Sequence, residues 1–258
     1  MSHIRESSTV SSASAGEAGL VAEIDARHGA ALVGHRQAVQ QMFDRISPTY
    51  DLLNRLMSMG IDRRWRTQAL DRLFAELPEG PLLDLCAGTL DLALALEQRD
   101  GRRPVIAADF ARDMLVAGRA KVQRTQLAQA DAMALPLRAG SLSGAICGFG
   151  IRNVARPEET IGQVYRALRP GGVFVVLEFF RPTRLSTRVF HAFYGRFLLP
   201  LMGGLVSGET SAYRYLSQSM RGFFTRSEFA SAMERAGFRQ VDACDLTLGI
   251  ASLVVGRK

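Results

Sequence analysis

Apolar residues fall into two rhythms that take turns along most of this chain. Between Ala38 and Leu77 the rhythm is helical: Val39, Met42, Phe43 and Ile46 recur at spacings of three or four, and Ser47-Pro48 breaks the run. A second helical stretch follows, carrying Trp65, Leu70, Leu73 and Phe74. From Pro81 short apolar runs alternate with helical stretches. The first run, within Pro81-Leu82-Leu83-Asp84, ends in Asp84, and a small-residue turn and then a helix over Leu92–Glu97 follow. A second strand is predicted at Pro104–Asp109, a helix at Arg112–Val122, a third strand at Leu127–Ala132 and a fourth at Leu142–Gly150. Helix Pro157–Leu168 closes on Arg169-Pro170-Gly171-Gly172, and Val173–Phe179 is a fifth, almost wholly apolar strand. The chain ends with helix Arg226–Ala236, a stop at Gly237, strand Gln240–Leu246, a turn at Leu248-Gly249 and strand Ile250–Gly256.

Strand–helix alternation builds a parallel sheet with helices on both faces, and the closing hairpin puts an antiparallel strand into it. The expectation is a Rossmann-like α/β fold with a seven-stranded, mostly parallel sheet. Two segments interrupt it. Residues 1–36 are rich in Ser, Ala and Gly with charges of both signs, and are expected to be a disordered tail before one domain over 37–258. Within that domain, Arg181–Thr225 breaks the alternation. Its Val189–Val206 portion is apolar and aromatic but broken by Pro200 and Gly203-Gly204. It suits either core packing or a wall for a long apolar substrate that touches a bilayer.

Composition narrows the classes. The 258 residues are 47% hydrophobic and 22% charged, enough apolar material for a sizeable core. The net charge of +7 is spread along the chain, and no basic–aromatic surface of the kind that binds single strands is evident, so nucleic acid is not an expected partner. Cys86, Cys147 and Cys244 lie far apart in apolar stretches without metal-ligand spacing, which fits reduced core thiols in a cytoplasmic protein and no metal. No apolar run reaches the ~18 residues that span a bilayer, and no secretion signal is evident.

The chemistry gathers where strands end. Asp84 sits at the tip of the first strand, before a glycine turn that opens a helix, the way a parallel sheet builds a nucleotide pocket. Asp109 ends the second strand about 20 residues further on, where a carboxylate can bond both hydroxyls of a ribose; alternatively it caps the next helix. Asp131, at the end of the third strand, can accept from an adenine amine while the Ala132 N–H meets a ring nitrogen. Upstream, polar Tyr50, Asp51 and Asn54 stand among apolar residues, which suits either capping or a lid over the pocket, so 37–77 is read as a helical lid.

Particular blocks resemble one family. Tyr50-Asp51-Leu52-Leu53-Asn54, Met57-Ser58-Met59-Gly60-Ile61 and Arg63-Arg64-Trp65 are similar to the N-terminal signature of the ubiquinone/menaquinone biosynthesis C-methyltransferases. Phe149-Gly150-Ile151-Arg152-Asn153-Val154, Leu168-Arg169-Pro170-Gly171-Gly172 with Leu177-Glu178-Phe179, and Tyr213-Arg214-Tyr215-Leu216 match later blocks in the same order. The resemblance implies a class I methyltransferase moving a methyl group from S-adenosylmethionine to a ring carbon of a polyprenylated quinol. Asp84, Gly88 and Thr89 would hold the methionine part, Asp109 the ribose, and Asp131 with Ala132 the adenine. Arg152, Asn153 and Tyr50 are the candidates for handling the quinol oxygen. An arginine stays protonated, so Arg152 would lower the hydroxyl's pKa or order a water. The alternative is that Arg152 pairs with a carboxylate and Asn153 caps a helix. His191 fits packing better than catalysis.

Four positions depart from the family pattern. Asp62 replaces a usual His, Ala87 a frequent Gly, and Gly148 stands where a small hydroxyl residue is common. Leu90 replaces the last glycine of the loop. If it needs a positive φ it costs ~1–2 kcal/mol, unless it turns into the core, and Leu90→Gly is expected to tighten cofactor binding. Demethylmenaquinol is the preferred acceptor. The ubiquinone-pathway benzoquinol, another small aromatic or isoprenoid, and a binding protein with lost catalysis are the alternatives. Peripheral contact with the inner membrane face and a homo-oligomer are compatible with the sequence.

Overall fold

The computed structural model describes residues 34, 37, 39–45, 47, 60–183, 185, 187–188 and 218–258. The lid residues around Tyr50, His191, the Val189–Val206 stretch and the Tyr213–Leu216 block lie outside the described residues. The chain divides into two units, Met1–Val39 and Gln40–Lys258. In the first, the described residues Gly34, Gln37 and Val39 are helical.

The second unit holds the sheet. After helix α1 (Ile61–Phe74) come β1 (Leu82–Leu85), α2 (Asp91–Arg99), β2 (Val105–Asp109), α3 (Arg112–Gly118) and β3 (Gln126–Gln129). Then follow β4 (Leu142–Gly148), α4 (Pro157–Ala167), β5 (Leu168–Glu178), α5 (Arg226–Arg235), β6 (Arg239–Leu246) and β7 (Ala251–Arg257). The seven strands lie in the order β3-β2-β1-β4-β5-β7-β6. β7 is antiparallel to both its neighbours, and the remaining pairs are parallel. The order reverses between β1 and β4, and such a switch point opens a crevice at the strands' carboxyl ends.

Two apolar layers explain the strand sequences. Leu83 and Leu85 share one face with Cys147, Phe174 and Val176, under Ile161 and Val164 of α4 and Phe229 and Met233 of α5. Leu82, Ile146, Val175 and Leu177 face the other way, under Trp65, Ala69 and Leu73 of α1 and Leu96 of α2. Successive residues alternate faces and both faces are covered, so the central strands are apolar almost throughout. Helix α5 starts on a reciprocal capping box between Thr225 and Glu228.

Several boundaries move. β3 stops at Gln129, so Asp131 lies beyond the strand and caps a 3-10 turn over Ala132–Ala134. β4 stops at Gly148, because Phe149 turns left-handed at φ 59°. Helix α3 ends at Gly118 and a 3-10 turn over Arg119–Lys121 continues it. Leu168, expected as the last helical residue, and Arg169–Gly172, expected as the helix stop, start β5 instead: Leu168 pairs with Leu142, and after a register shift Val173 pairs with Gly144.

Candidate active site

The loop after β1 is the floor of the crevice. Cys86 leaves the strand at φ 54° and Gly88 follows at φ 51°. The turn closes where the Leu90 N–H donates to the Ala87 carbonyl at 2.9 Å. Leu90 itself is left-handed, φ 69° and ψ 22°, at the N-cap of α2. Its side chain is fully buried in the layer that holds Leu96 and Leu115. The backbone strain foreseen for a leucine here is therefore present, while the side chain is turned away from solvent and into the core. Gly118 of α3 makes room for this loop. A Cβ there would overlap the Thr89 carbonyl and come within 2.8 Å of Leu90 Cγ. Composition and spacing alone did not single out Gly118.

Three carboxylates stand at or next to the ends of three strands, Asp84 and Glu178 buried and Asp109 half-buried. Asp84 is 1% exposed, and neither of its oxygens has a hydrogen-bond partner. Burial pushes its pKa up to about 8; the Ala93 amide polarises the carboxyl without reaching hydrogen-bond geometry and offsets only part of this. Asp109 accepts from the Gly88 N–H at 2.8 Å through Oδ2 and from the Ala111 N–H at 2.8 Å through Oδ1. It thereby ties the tip of β2 to the glycine turn. Burial raises its pKa, against the pull of the Gly88, Ala111 and Phe110 amides. Glu178 closes β5 and is wholly buried; burial raises its pKa too, opposed by Arg152 and backbone amides. Asp131 Oδ1 accepts from the Met133 N–H at 2.9 Å, with Ala132 buried beside it.

Beyond β4, Arg152 and Asn153 lie in a 3-10 turn, Ile151–Asn153. Arg152 Nη1 donates to Glu178 Oε1 at 2.8 Å and to the Phe149 carbonyl at 2.5 Å. The expected alternative of a carboxylate partner is thus realised for Arg152. Its Nε is nevertheless buried without a partner, and so is Asn153 Oδ1. Asn153 does not cap the next helix: Arg156 occupies that N-cap, with no side-chain cap. An arginine donor and an amide acceptor on neighbouring residues of one turn are thus both buried and unsatisfied. The segment leading into this turn packs against the loop after β1, because a Cβ on Gly150 would overlap the Cys86 side chain. An aromatic wall stands next to the turn. Phe149 stacks on Phe179 at 4.6 Å, Trp65 meets each at 6.1 Å, and Arg152 lies 5.8 Å over the Phe179 ring. Trp65 is anchored by Nε1 donating to Thr247 Oγ1 at 2.8 Å.

The departures acquire physical reasons. A Cβ at Gly148 would lie 2.6 Å from Leu92 Cδ1, so a larger residue there would displace the end of the Leu92 side chain. Asp62 faces Arg66 at 3.4 Å, and Arg66 reaches on to Asp91 at 2.5 Å. Lys121 also meets Asp91 at 2.7 Å. Burial opposes the Asp91 charge, but the two cations outweigh it and its pKa is lowered. The hydrogen bond to Cys147 and burial push the Cys86 thiol well above the usual range, which disfavours the nucleophilic thiolate. Among the described residues no cluster could hold a metal ion, and no helix is long and apolar enough to cross a membrane.

The donor set suits S-adenosylmethionine. An ammonium and a sulfonium are cationic, and a partnerless buried carboxylate at the switch point is what such a ligand would satisfy. Comparison with known proteins agrees. The model of the ubiE/COQ5 methyltransferase family matches residues 32–258. A ubiquinone/menaquinone biosynthesis C-methyltransferase UbiE of Syntrophotalea carbinolica is 43% identical over 224 residues, 85% of this chain and 94% of that protein. A demethylmenaquinone methyltransferase of Thermus thermophilus is 42% identical over 219 residues, 83% of this chain and 99% of the relative. Among solved structures, a Thermotoga maritima SAM-dependent methyltransferase, described as a possible histamine N-methyltransferase, superposes with a TM-score of 0.61 at 21% identity. That match covers 84% of this chain and 99% of the other and speaks for the fold.

Proposed function

The chain belongs to the ubiE/COQ5 methyltransferase family, and on that premise we propose that its acceptor is demethylmenaquinol, methylated on a ring carbon to menaquinol. It is an S-adenosylmethionine-dependent C-methyltransferase of quinone biosynthesis. The observation that carries the acceptor site is the pair of buried, partnerless groups beyond β4, Arg152 Nε and Asn153 Oδ1, in a turn whose leading segment packs against the loop after β1. A quinol offers what they lack: an oxygen to accept from the guanidinium and a hydroxyl to donate to the amide.

S-adenosylmethionine supplies an electrophilic methyl group; the chain's residues bind, orient and activate. Asp84, Gly88 and Thr89 hold the methionine portion. Asp109 keeps acceptor capacity for the ribose hydroxyls beyond its two amide bonds, and Asp131 with the Ala132 N–H meets the adenine. A ring carbon is a weak nucleophile until the neighbouring hydroxyl loses its proton. Arg152 stays charged and so stabilises the phenolate rather than taking the proton itself. Asn153 orients the oxygen, and Tyr50 is the third candidate to handle it. The wall of Trp65, Phe149 and Phe179 excludes water and offers a flat face to the ring.

A polyprenylated acceptor has to be met at a membrane surface, at the inner face in this proposal. Leu185 and Leu248 support that contact, being 73% and 86% exposed. They are linked through Thr187, whose Oγ1 donates to the Leu248 carbonyl at 3.0 Å. Leu248 stands at the site's end of the sheet, since Ser252 just after its turn pairs with Glu178.

The test is incubation with methyl-labelled S-adenosylmethionine and reduced demethylmenaquinone, with the demethylated benzoquinol in a parallel arm. Label in the naphthoquinol ring is expected. Label only in the benzoquinol would move the acceptor to the ubiquinone pathway, and transfer to neither would overturn the assignment.

A further inference from the structure

We infer that Glu178 is a positioning residue for methyl transfer: it holds Arg152 so that one buried donor, Nε, is left to face the acceptor oxygen. The inference rests on the reading of Arg152 as the group that meets the quinol. Glu178 grips Arg152 at both ends. Oε2 accepts from the Arg152 backbone N–H at 3.3 Å, and Oε1 accepts from Nη1 at 2.8 Å. Oε1 also accepts from the Phe179 N–H at 2.7 Å, which fixes the carboxylate relative to the aromatic wall. The guanidinium is nearly enclosed, with the side chains of Arg152 and Glu178 8% and 0% exposed.

Stability alone gives a weak reason for this pair. A buried ion pair seldom outperforms apolar residues of the same volume, because both charges lose water. Here the arrangement is also incomplete, since it leaves Nε desolvated and without an acceptor. That deficiency makes sense if an oxygen arrives there during the reaction. A guanidinium swinging freely would lose the alignment on which a positioned donor depends. Glu178, at the rigid end of β5, removes that freedom.

The experiment is a double-mutant cycle in the full chain with demethylmenaquinol. Glu178→Gln keeps the size and one acceptor but loses the charge. The expected result is a fall in kcat of about tenfold or more, with the quinol KM within about threefold and the affinity for S-adenosylmethionine within about twofold. Arg152→Lys should show a similar loss, and the double variant should be no slower than Arg152→Lys alone. Wild-type kcat in Glu178→Gln, or losses that multiply in the double variant, would overturn the inference while the acceptor assignment stands. If the unaltered chain methylates no quinol, the acceptor assignment fails and the role of Glu178 with it. Should Glu178→Gln not fold, Glu178→Asp carries the test. It keeps the charge but retracts it from Nη1, and the same kcat loss at unchanged cofactor affinity is expected.

Discussion

Leu90 shows two terms of opposite sign meeting in one residue. Its left-handed backbone costs ~1–2 kcal/mol that a glycine would not, and this is the feature that made tighter cofactor binding the expectation for Leu90→Gly. The side chain changes the balance. It is fully buried against the α2 and α3 layer, and truncating a buried leucine costs ~2–5 kcal/mol. Leu90→Gly should therefore lower stability by roughly 1–3 kcal/mol, with no gain in affinity for S-adenosylmethionine. Chemical denaturation and calorimetry on the same preparation check both halves. A more stable variant, or one that binds several-fold tighter, would show that strain outweighs packing here. The identity of Leu90 was legible as an anomaly, but whether its side chain faced the ligand or the core depended on α3, an element further along the chain.

At the scale of elements, the site is where strands stop, and that part was open to reading. Asp109 ends β2 and Asp84 stands one residue before the end of β1; both runs are short and bounded, so their place at the sheet's carboxyl edge follows from alternation alone. What lay hidden were contacts between elements distant in sequence. Arg152 and Glu178 are 26 residues apart, and Trp65 reaches Thr247 across 182. No periodicity encodes such pairings. The close approach of α3 to the cofactor loop belongs to the same class, and it yields a prediction. Gly118 has an ordinary helical backbone, so Gly118→Ala ought to help the helix. Instead its Cβ would press on the Thr89 backbone, which cannot step aside as a flexible side chain could. Overpacking of this kind costs ~1–3 kcal/mol. The expected signature is local: affinity for S-adenosylmethionine falls about tenfold, because the turn proposed to hold the ligand is displaced. Unchanged affinity in a folded variant would mean that α3 moves rather than the loop.

Across the whole molecule, a chain of net charge +7 gathers buried and half-buried carboxylates at one end of its sheet. Asp84, Asp109 and Glu178 all have raised pKa values, so that end is poised for a cation. Asp84 makes stability depend on pH. Its pKa rises from 3.8 to about 8 on folding, so between those values the native state holds a proton that the unfolded chain has lost. Stability then falls as pH rises from about 4 to 8, and this contribution is flat outside that window. Asp84→Asn should flatten part of the slope and be the more stable form at about pH 8 without ligand, as urea midpoints measured across the range would show. Ligand binding reverses the preference. A cationic group beside Asp84 favours the ionised carboxyl, so near neutral pH binding S-adenosylmethionine should release a proton. Calorimetry in two buffers of different ionisation enthalpy would then give different apparent heats for the unaltered chain and equal heats for Asp84→Asn. Equal heats in both proteins would mean that Asp84 is already ionised or that the cation binds elsewhere. The first outcome would leave the orphaned carboxylate without a stabilising partner in the unliganded fold, which its burial at 1% exposure makes hard to sustain.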